Sequence, residues 1–110
     1  MDKIVGISDE VTVCGCCGKT GLKKTVVFDA GDHYVYMGTD CAGMVMLGTK
    51  TAKNTKIITT QAAAASYAQN LLKQYTVDQV IMAVWNRYGF GCEAKNGKFK
   101  IANFAEIEIC

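Results

Sequence analysis

Six cysteines in 110 residues are the side chains best suited to chemistry, and the spacing of three of them is informative. Cys14 and Cys17 lie in the run Cys14-Gly15-Cys16-Cys17-Gly18-Lys19. Cys41 returns after two strand-like stretches, within Gly38-Thr39-Asp40-Cys41-Ala42. A Cys-x-x-Cys-Gly turn aims two thiolates at one point, because glycine after the second cysteine accepts the left-handed backbone of a tight knuckle. A third cysteine at the start of a helix supplies most of a tetrahedral zinc site. The expected ligands are therefore Cys14, Cys17 and Cys41, and the expected cofactor is a structural zinc ion.

The fourth ligand is open at this level. Asp40 is the first candidate, since it adjoins Cys41 and carboxylate oxygen binds zinc. Its alternative role is to cap the helix that follows. Cys92, Cys16 and Cys110 are further candidates, although a metal shared by neighbouring Cys16 and Cys17 would strain the backbone. His33, the single histidine, falls in a turn remote from the knuckle.

Other chemistries fit less well. The N-terminal segment lacks the basic flank and long apolar core of a signal peptide, so a cytoplasmic, reducing compartment is expected, where thiols stay free or bind metal. A Cys-x-x-Cys pair can be a redox site with a lowered thiol pKa. Thioredoxin-like chemistry places that motif at a helix start, whereas here a strand-like stretch follows. A thiol redox protein is kept as an alternative. Gly18-Lys19-Thr20 resembles the end of a phosphate loop but lacks both the full spacing and the following helix. Nothing in the spacing links His33 to a cysteine for nucleophilic catalysis. A catalytic zinc needs a general base, and no His-Glu-x-x-His run is present. The chain reads as non-enzymatic.

The elements that must position the cysteines are legible as periodicity. Half the residues are apolar, in keeping with a folded domain. Residues 2–13 alternate loosely through Ile4, Val5, Ile7, Val11 and Val13 and read as a strand. Residues 22–28 are β-branched and aromatic and form a second strand. Asp29-Ala30-Gly31-Asp32 is turn chemistry, and Tyr34-Val35-Tyr36-Met37 is the returning strand. Thr39 or Asp40 caps a short helix to about Leu47, with Gly48 ending it. Residues 49–58 are polar and read as a connector.

A longer helix starts near Thr59, carried by alanines and by Ala64, Ala68, Leu71, Leu72 and Tyr75 at helical spacing. Thr76 and Gln79 form a capping box for the next helix. Its stripe of Val77, Val80, Ile81, Val84, Trp85 and Tyr88 should be core. Burial of Trp85 predicts a cost of ~3–5 kcal/mol for Trp85→Ala. Gly89 ends that helix. Asn96-Gly97 is a type I′ hairpin signal between two short strands, and residues 106–109 alternate as one more. The small residues 62–66 suit either close internal packing or a homodimer seam. The fold class is α+β: a zinc-knuckle β-hairpin–helix unit over residues 1–48, and a two-helix plus hairpin part over 59–110, in one compact domain.

The order knuckle, hairpin, helix-borne cysteine resembles a treble-clef zinc finger over residues 12–48. It also resembles small zinc-ribbon-like proteins of bacteria and phages, through Cys14, Cys17, Gly18, Lys19, Thr20, Leu22, Lys23, Gly38, Thr39, Asp40, Cys41 and Ala42. One departure stands out: a treble clef takes a second helix ligand about three residues on, and here that position is Met44. The resemblance implies a binding protein that acts by stoichiometric contact with a protein or nucleoprotein partner. Phage-type proteins of this kind act as inhibitors of host defence complexes, including CRISPR effectors, which gives the expectation of an anti-CRISPR role.

The net charge of +2 is too small to specify a partner. The partner-binding residues expected are Lys19, Lys23 and Lys24 beside the knuckle, with Tyr34 and Tyr36 on the hairpin. That set also suits a nucleic-acid-binding zinc module or transcriptional regulator. Two helices before a hairpin echo a winged helix, but the second helix carries only Arg87 as a cation, near its end. No stretch is apolar enough for a membrane span, and no membrane partner is expected.

Overall fold

The structure, a computed structural model, describes residues 3–109. Among them the order is β1 (Lys3–Ser8), β2 (Thr25–Asp29), β3 (Tyr34–Met37), α1 (Thr39–Leu47), α2 (Ala52–Leu72), α3 (Val77–Tyr88), β4 (Cys92–Lys95), β5 (Lys98–Ile101) and β6 (Ala105–Glu108). The α+β class read from the pattern holds. The strands form one six-stranded sheet in the order β3-β2-β1-β6-β5-β4, so both halves of the chain contribute to it.

The loose spacing of Ile4, Val5 and Ile7 has a physical cause. β1 carries a bulge between Ile4 and Gly6. Ile4 faces Phe28 and Ile7 faces Val26 across the ladder, so two residues three apart share the core side. Without the extra residue, period two would send one of them outward.

The two halves of the sheet meet at a single parallel pairing, Ile4 with Ala105, where the Ile4 N–H donates to the Phe104 carbonyl at 2.8 Å. Beyond that point the edge of β1 is satisfied by side chains of α2. The Ile7 N–H donates to Ser66 Oγ at 2.8 Å, and Gln69 Nε2 donates to the Val5 carbonyl. A helix replaces a strand here because an unpaired buried backbone group is costly. The approach demands a small partner: a Cβ at Gly6 would stand 2.6 Å from Ser66 Oγ. The small-residue run thus serves internal packing against β1.

The core lies between sheet and helices. Phe28, Phe99, Ile4, Ile101 and Val26 from the strands meet Ile58, Ala62, Ala65 and Ala68 of α2 and Val80 and Val84 of α3.

Local signals ended where expected. Thr76 and Gln79 make the reciprocal capping box at 3.3 and 3.0 Å. Gly48 and Gly89 close α1 and α3 in the left-handed region. Asn96 and Gly97 both have positive φ, as a type I′ turn requires.

Three expectations are corrected. Residues 49–58 are not a connector: α2 starts at Ala52, capped by Thr51, whose Oγ1 accepts the Asn54 N–H at 3.1 Å. Polar residues here form the solvent face of a helix, while Ile58 is fully buried on the other side. α1 is capped by Gly38 with no side-chain bond, rather than by Thr39 or Asp40. Trp85 is 59% exposed. It sits at one margin of the α3 stripe, about 100° round from Val84, and the sheet and α2 cover the opposite margin, where Val80 is buried.

Candidate metal centre

The centre is built by a loop, a strand end and a helix start. Residues 9–24 join β1 to β2 with no helix or strand of their own. Within that loop the Gly18 N–H donates to the Cys14 carbonyl and the Cys14 N–H to the Lys19 carbonyl, both at 2.9 Å. These bonds close the knuckle, and Gly18 takes φ 77°, as its position after Cys17 predicts. The knuckle is held to β3 by the Gly15 N–H donating to the Tyr36 carbonyl at 2.7 Å. A Cβ at Gly15 would lie 2.9 Å from that oxygen, so a side chain there would push the knuckle off the strand.

β3 then delivers the chain through Gly38 into α1, whose first turn carries Cys41. The Sγ atoms of Cys14, Cys17 and Cys41 lie within 4.8 Å of one another. Cys14 and Cys41 are buried and Cys17 is exposed. Zinc with bonds of ~2.3 Å in tetrahedral geometry holds its sulfurs ~3.8 Å apart, so an ion would draw the three inward by about 1 Å at most. The group could hold a metal ion, and thiolate donors suit zinc, copper(I) or iron–sulfur chemistry.

The surroundings are polarised for that task. Burial opposes ionisation of Cys14. The N–H groups of Cys17, Gly38 and Cys16, and the Cys17 thiol, favour its ionised form. The Gly38 N–H lies 3.2 Å from Sγ. These donors outweigh burial and lower the thiol from 9.0 to about 6. Cys41 moves the other way, from 9.0 to about 12. Burial is the main cause, followed by its contacts with the thiols of Cys17, Cys14 and Cys16 and by the negative charge of Cys14.

These shifts predict a two-sided pH profile for the metal-free protein. Cys14 is lowered on folding, so its contribution to stability is complete above the unfolded value of 9.0 and is lost as pH falls through about 6. Cys41 is raised, so its effect is nil below 9.0, and stability falls as pH climbs from there toward about 12. Urea midpoints of metal-free protein should therefore rise from pH 6 to 9 and decline above it. A midpoint that is flat over that range would contradict the assignment. Metal affinity should also rise with pH, since binding expels thiol protons.

The remaining residues singled out from sequence are dispersed. Asp40 does not join the sulfurs. It is exposed, and its Oδ1 accepts the Thr55 hydroxyl at 2.8 Å, tying α1 to α2. Cys92 is on β4, at the opposite edge of the sheet from β3, and its thiol donates to the Phe90 carbonyl. Burial pushes that thiol up to about 11. Cys110 lies outside the described residues. Cys16 is exposed and lies outside the close group of Cys14, Cys17 and Cys41 sulfurs.

Lys19, Lys23 and Lys24 are exposed, Tyr34 is half exposed and Tyr36 is half-buried. His33 is exposed in the β2–β3 turn, with Nδ1 2.5 Å from Asp32 Oδ1. Arg87 lies over the rings of Tyr67 and Tyr88, at 4.9 and 5.7 Å from their centroids. Residue-type patterns missed the roles of Gly15 and Gly38, which act through backbone N–H groups. The glycine placed just before Thr39-Asp40-Cys41 was the one available hint.

Comparison with family models, with curated proteins and with solved structures returns no match for this chain. Fold and site together define a small α+β protein whose N-terminal half gathers three cysteines able to hold a metal ion. No helix among the described residues is long and apolar enough to cross a membrane.

Proposed function

We propose that this chain is a zinc-stabilised, non-enzymatic binding protein that works by stoichiometric contact with a protein or nucleoprotein partner. The observation that carries this reading is where the three thiols sit. Loop 9–24 exceeds the ~12–15 residues beyond which unstructured connections are uncommon in compact domains. Two of the thiols lie in that loop and the third on the helix beside it. An ion bridging them staples the loop to α1, which is the task of a structural zinc.

The staple would preorganise a surface. Lys19, Lys23 and Lys24 project from the loop, and Tyr34 and Tyr36 stand on the neighbouring edge strand β3. Ordering these groups beforehand lowers the entropy lost on association, and tyrosine is a frequent anchor in interfaces. What supports an inhibitor role toward a host defence complex, a CRISPR effector among them, is the resemblance of the segment from Cys14 to Ala42 to small phage-type proteins. The first experiment is elemental analysis with native mass spectrometry. One zinc per chain, lost in Cys14→Ser, supports the reading; six free thiols without metal reject it.

A second reading, a nucleic-acid-binding zinc module, is favoured by the same lysines and tyrosines. Salt dependence separates the two. If Lys19, Lys23 and Lys24 each neutralise one phosphate of duplex DNA, log affinity should fall with log salt at a slope of about −2.7. A mainly apolar protein interface should give a slope near zero. The check is a titration of the isolated partner at several salt concentrations, repeated with Lys23→Ala.

A further inference from the structure

We infer that the split between β1 and β6 is a binding site for a partner's extended, basic peptide segment, which adds to β6 as a further strand. The inference does not depend on the metal centre. The two strands pair only at Ile4 and Ala105 and then part. α2 closes the β1 side of the split, through Ser66 on Ile7 and Gln69 on Val5. Among the described residues no strand pairs with the facing edge of β6 beyond Ala105.

Register shows which backbone groups that edge presents. The Ile109 N–H donates to the Gly97 carbonyl at 2.9 Å, one step past the pair of Lys98 with Glu108. Hydrogen-bonded pairs alternate along an antiparallel ladder, so the next ones are Phe99 with Ile107 and Ile101 with Ala105. Glu106 and Glu108 therefore turn their backbone groups away from β5, toward the split. The Phe104 carbonyl, in the same phase, accepts the Ile4 N–H. The Glu106 carbonyl and both backbone groups of Glu108 are thus left as a template for a strand. Such edges capture extended peptides by main-chain bonds, and side-chain pockets set the choice of sequence.

Space and charge define the occupant. A cavity of about 810 Å³ is lined by Lys3 and Val5 of β1 and by Glu106, Ile107 and Glu108 of β6. Asp29 and Asp32, at the β2–β3 turn, line it as well. Four carboxylates there face two ammonium groups, those of Lys3 and Lys98. Lys3 already donates to the Asn103 carbonyl at 2.7 Å. His33, beside Asp32, adds at most one positive charge, so the lining stays net negative. Val5 and Ile107 offer apolar contact between the charges. A segment of alternating apolar and basic residues matches that lining, since successive side chains of a strand point to opposite sides. The same carboxylates repel a nucleic-acid backbone.

The test uses the full-length protein and a blocked hexapeptide of alternating valine and lysine, with binding read by fluorescence anisotropy and amide NMR. The peptide should bind and slow the exchange of the Glu108 amide. A hexapeptide of alternating valine and glutamate should not bind. A copy of the basic peptide methylated at every backbone nitrogen keeps the charges but loses the strand donors, and should not bind either. Glu106→Lys combined with Glu108→Lys, both on the less buried side of β6, should weaken binding at least ~10-fold, because like charges then meet across the contact. Circular dichroism checks that this variant is folded, and the peptide series on wild type decides the matter should it not be. Failure of the basic peptide to bind wild type overturns the inference. So does equal binding of the acidic or the methylated peptide, or a folded double variant that binds as wild type does. Zinc content plays no part in these readouts, so the metal reading stands or falls separately.

Discussion

On the proposed zinc reading, Cys41→Ser should give a protein that no longer retains metal and melts far below wild type. Cys41 is buried and is one of the three sulfurs of the close group, so its loss leaves only Cys14 and Cys17 there. Apparent binding free energies of structural zinc in small fingers run ~10–16 kcal/mol at neutral pH, comparable with the ~5–15 kcal/mol stability of a whole domain. Here the sheet has its own core of Phe28, Phe99, Ile4 and Ile101, so the loss should be concentrated in loop 9–24 and the start of α1. Even ~3 kcal/mol lost would lower Tm by ~12–24 °C in a domain near this size.

A chelator added to wild type should reproduce the fall, which separates loss of the ion from the cost of a buried serine. Hydrogen exchange should show loop 9–24 losing protection while β5 and β6 keep theirs. Cys92→Ser, at the far edge of the sheet, should hold metal as wild type does. A melting temperature indifferent to both chelator and Cys41→Ser would rule out a stapling ion.

Phe28→Ala and Trp85→Ala should differ sharply, in the reverse of the order that side-chain size suggests. Phe28 is fully buried, on the strand between β1 and β3. Truncation removes its transfer energy and leaves a cavity that a sheet centre cannot collapse, at a cost of ~3–5 kcal/mol. That is a large share of the total stability of a small domain. Trp85 is 59% exposed on the outer side of α3, beside the still more exposed Met82. Its truncation should cost under about 1 kcal/mol, in the range of ordinary surface changes. Denaturant midpoints at constant m-value measure both. A Trp85→Ala loss equal to that of Phe28→Ala would mean that α3 presents a different face to the sheet.

The contrast between these two residues shows which parts of the molecule are local. The knuckle glycine Gly18, the Thr76–Gln79 capping box, the helix stops at Gly48 and Gly89 and the Asn96-Gly97 turn were all legible. Each is set by the φ and ψ that a residue tolerates and by hydrogen bonds within a few positions. The convergence of Cys14, Cys17 and Cys41 was legible for a related reason: a short hairpin between two motifs returns the chain to where it left.

Tertiary structure decided the rest. The segment before Thr59 looked like a connector because its face toward solvent is polar, and only burial of Ile58 in the core makes it the first turns of α2. Which margin of the α3 stripe is covered depends on where β4 and α2 lie, so Trp85 could not be placed from periodicity alone. Asp40 found Thr55 because α1 and α2 pack together. The pairing of β1 with β6, and the use of Ser66 and Gln69 to satisfy the edge that β6 leaves bare, join residues some sixty to a hundred positions apart. Local propensity carries no information on such pairs, because loop closure lets many partners compete and the choice among them is made by burial and by satisfied backbone groups.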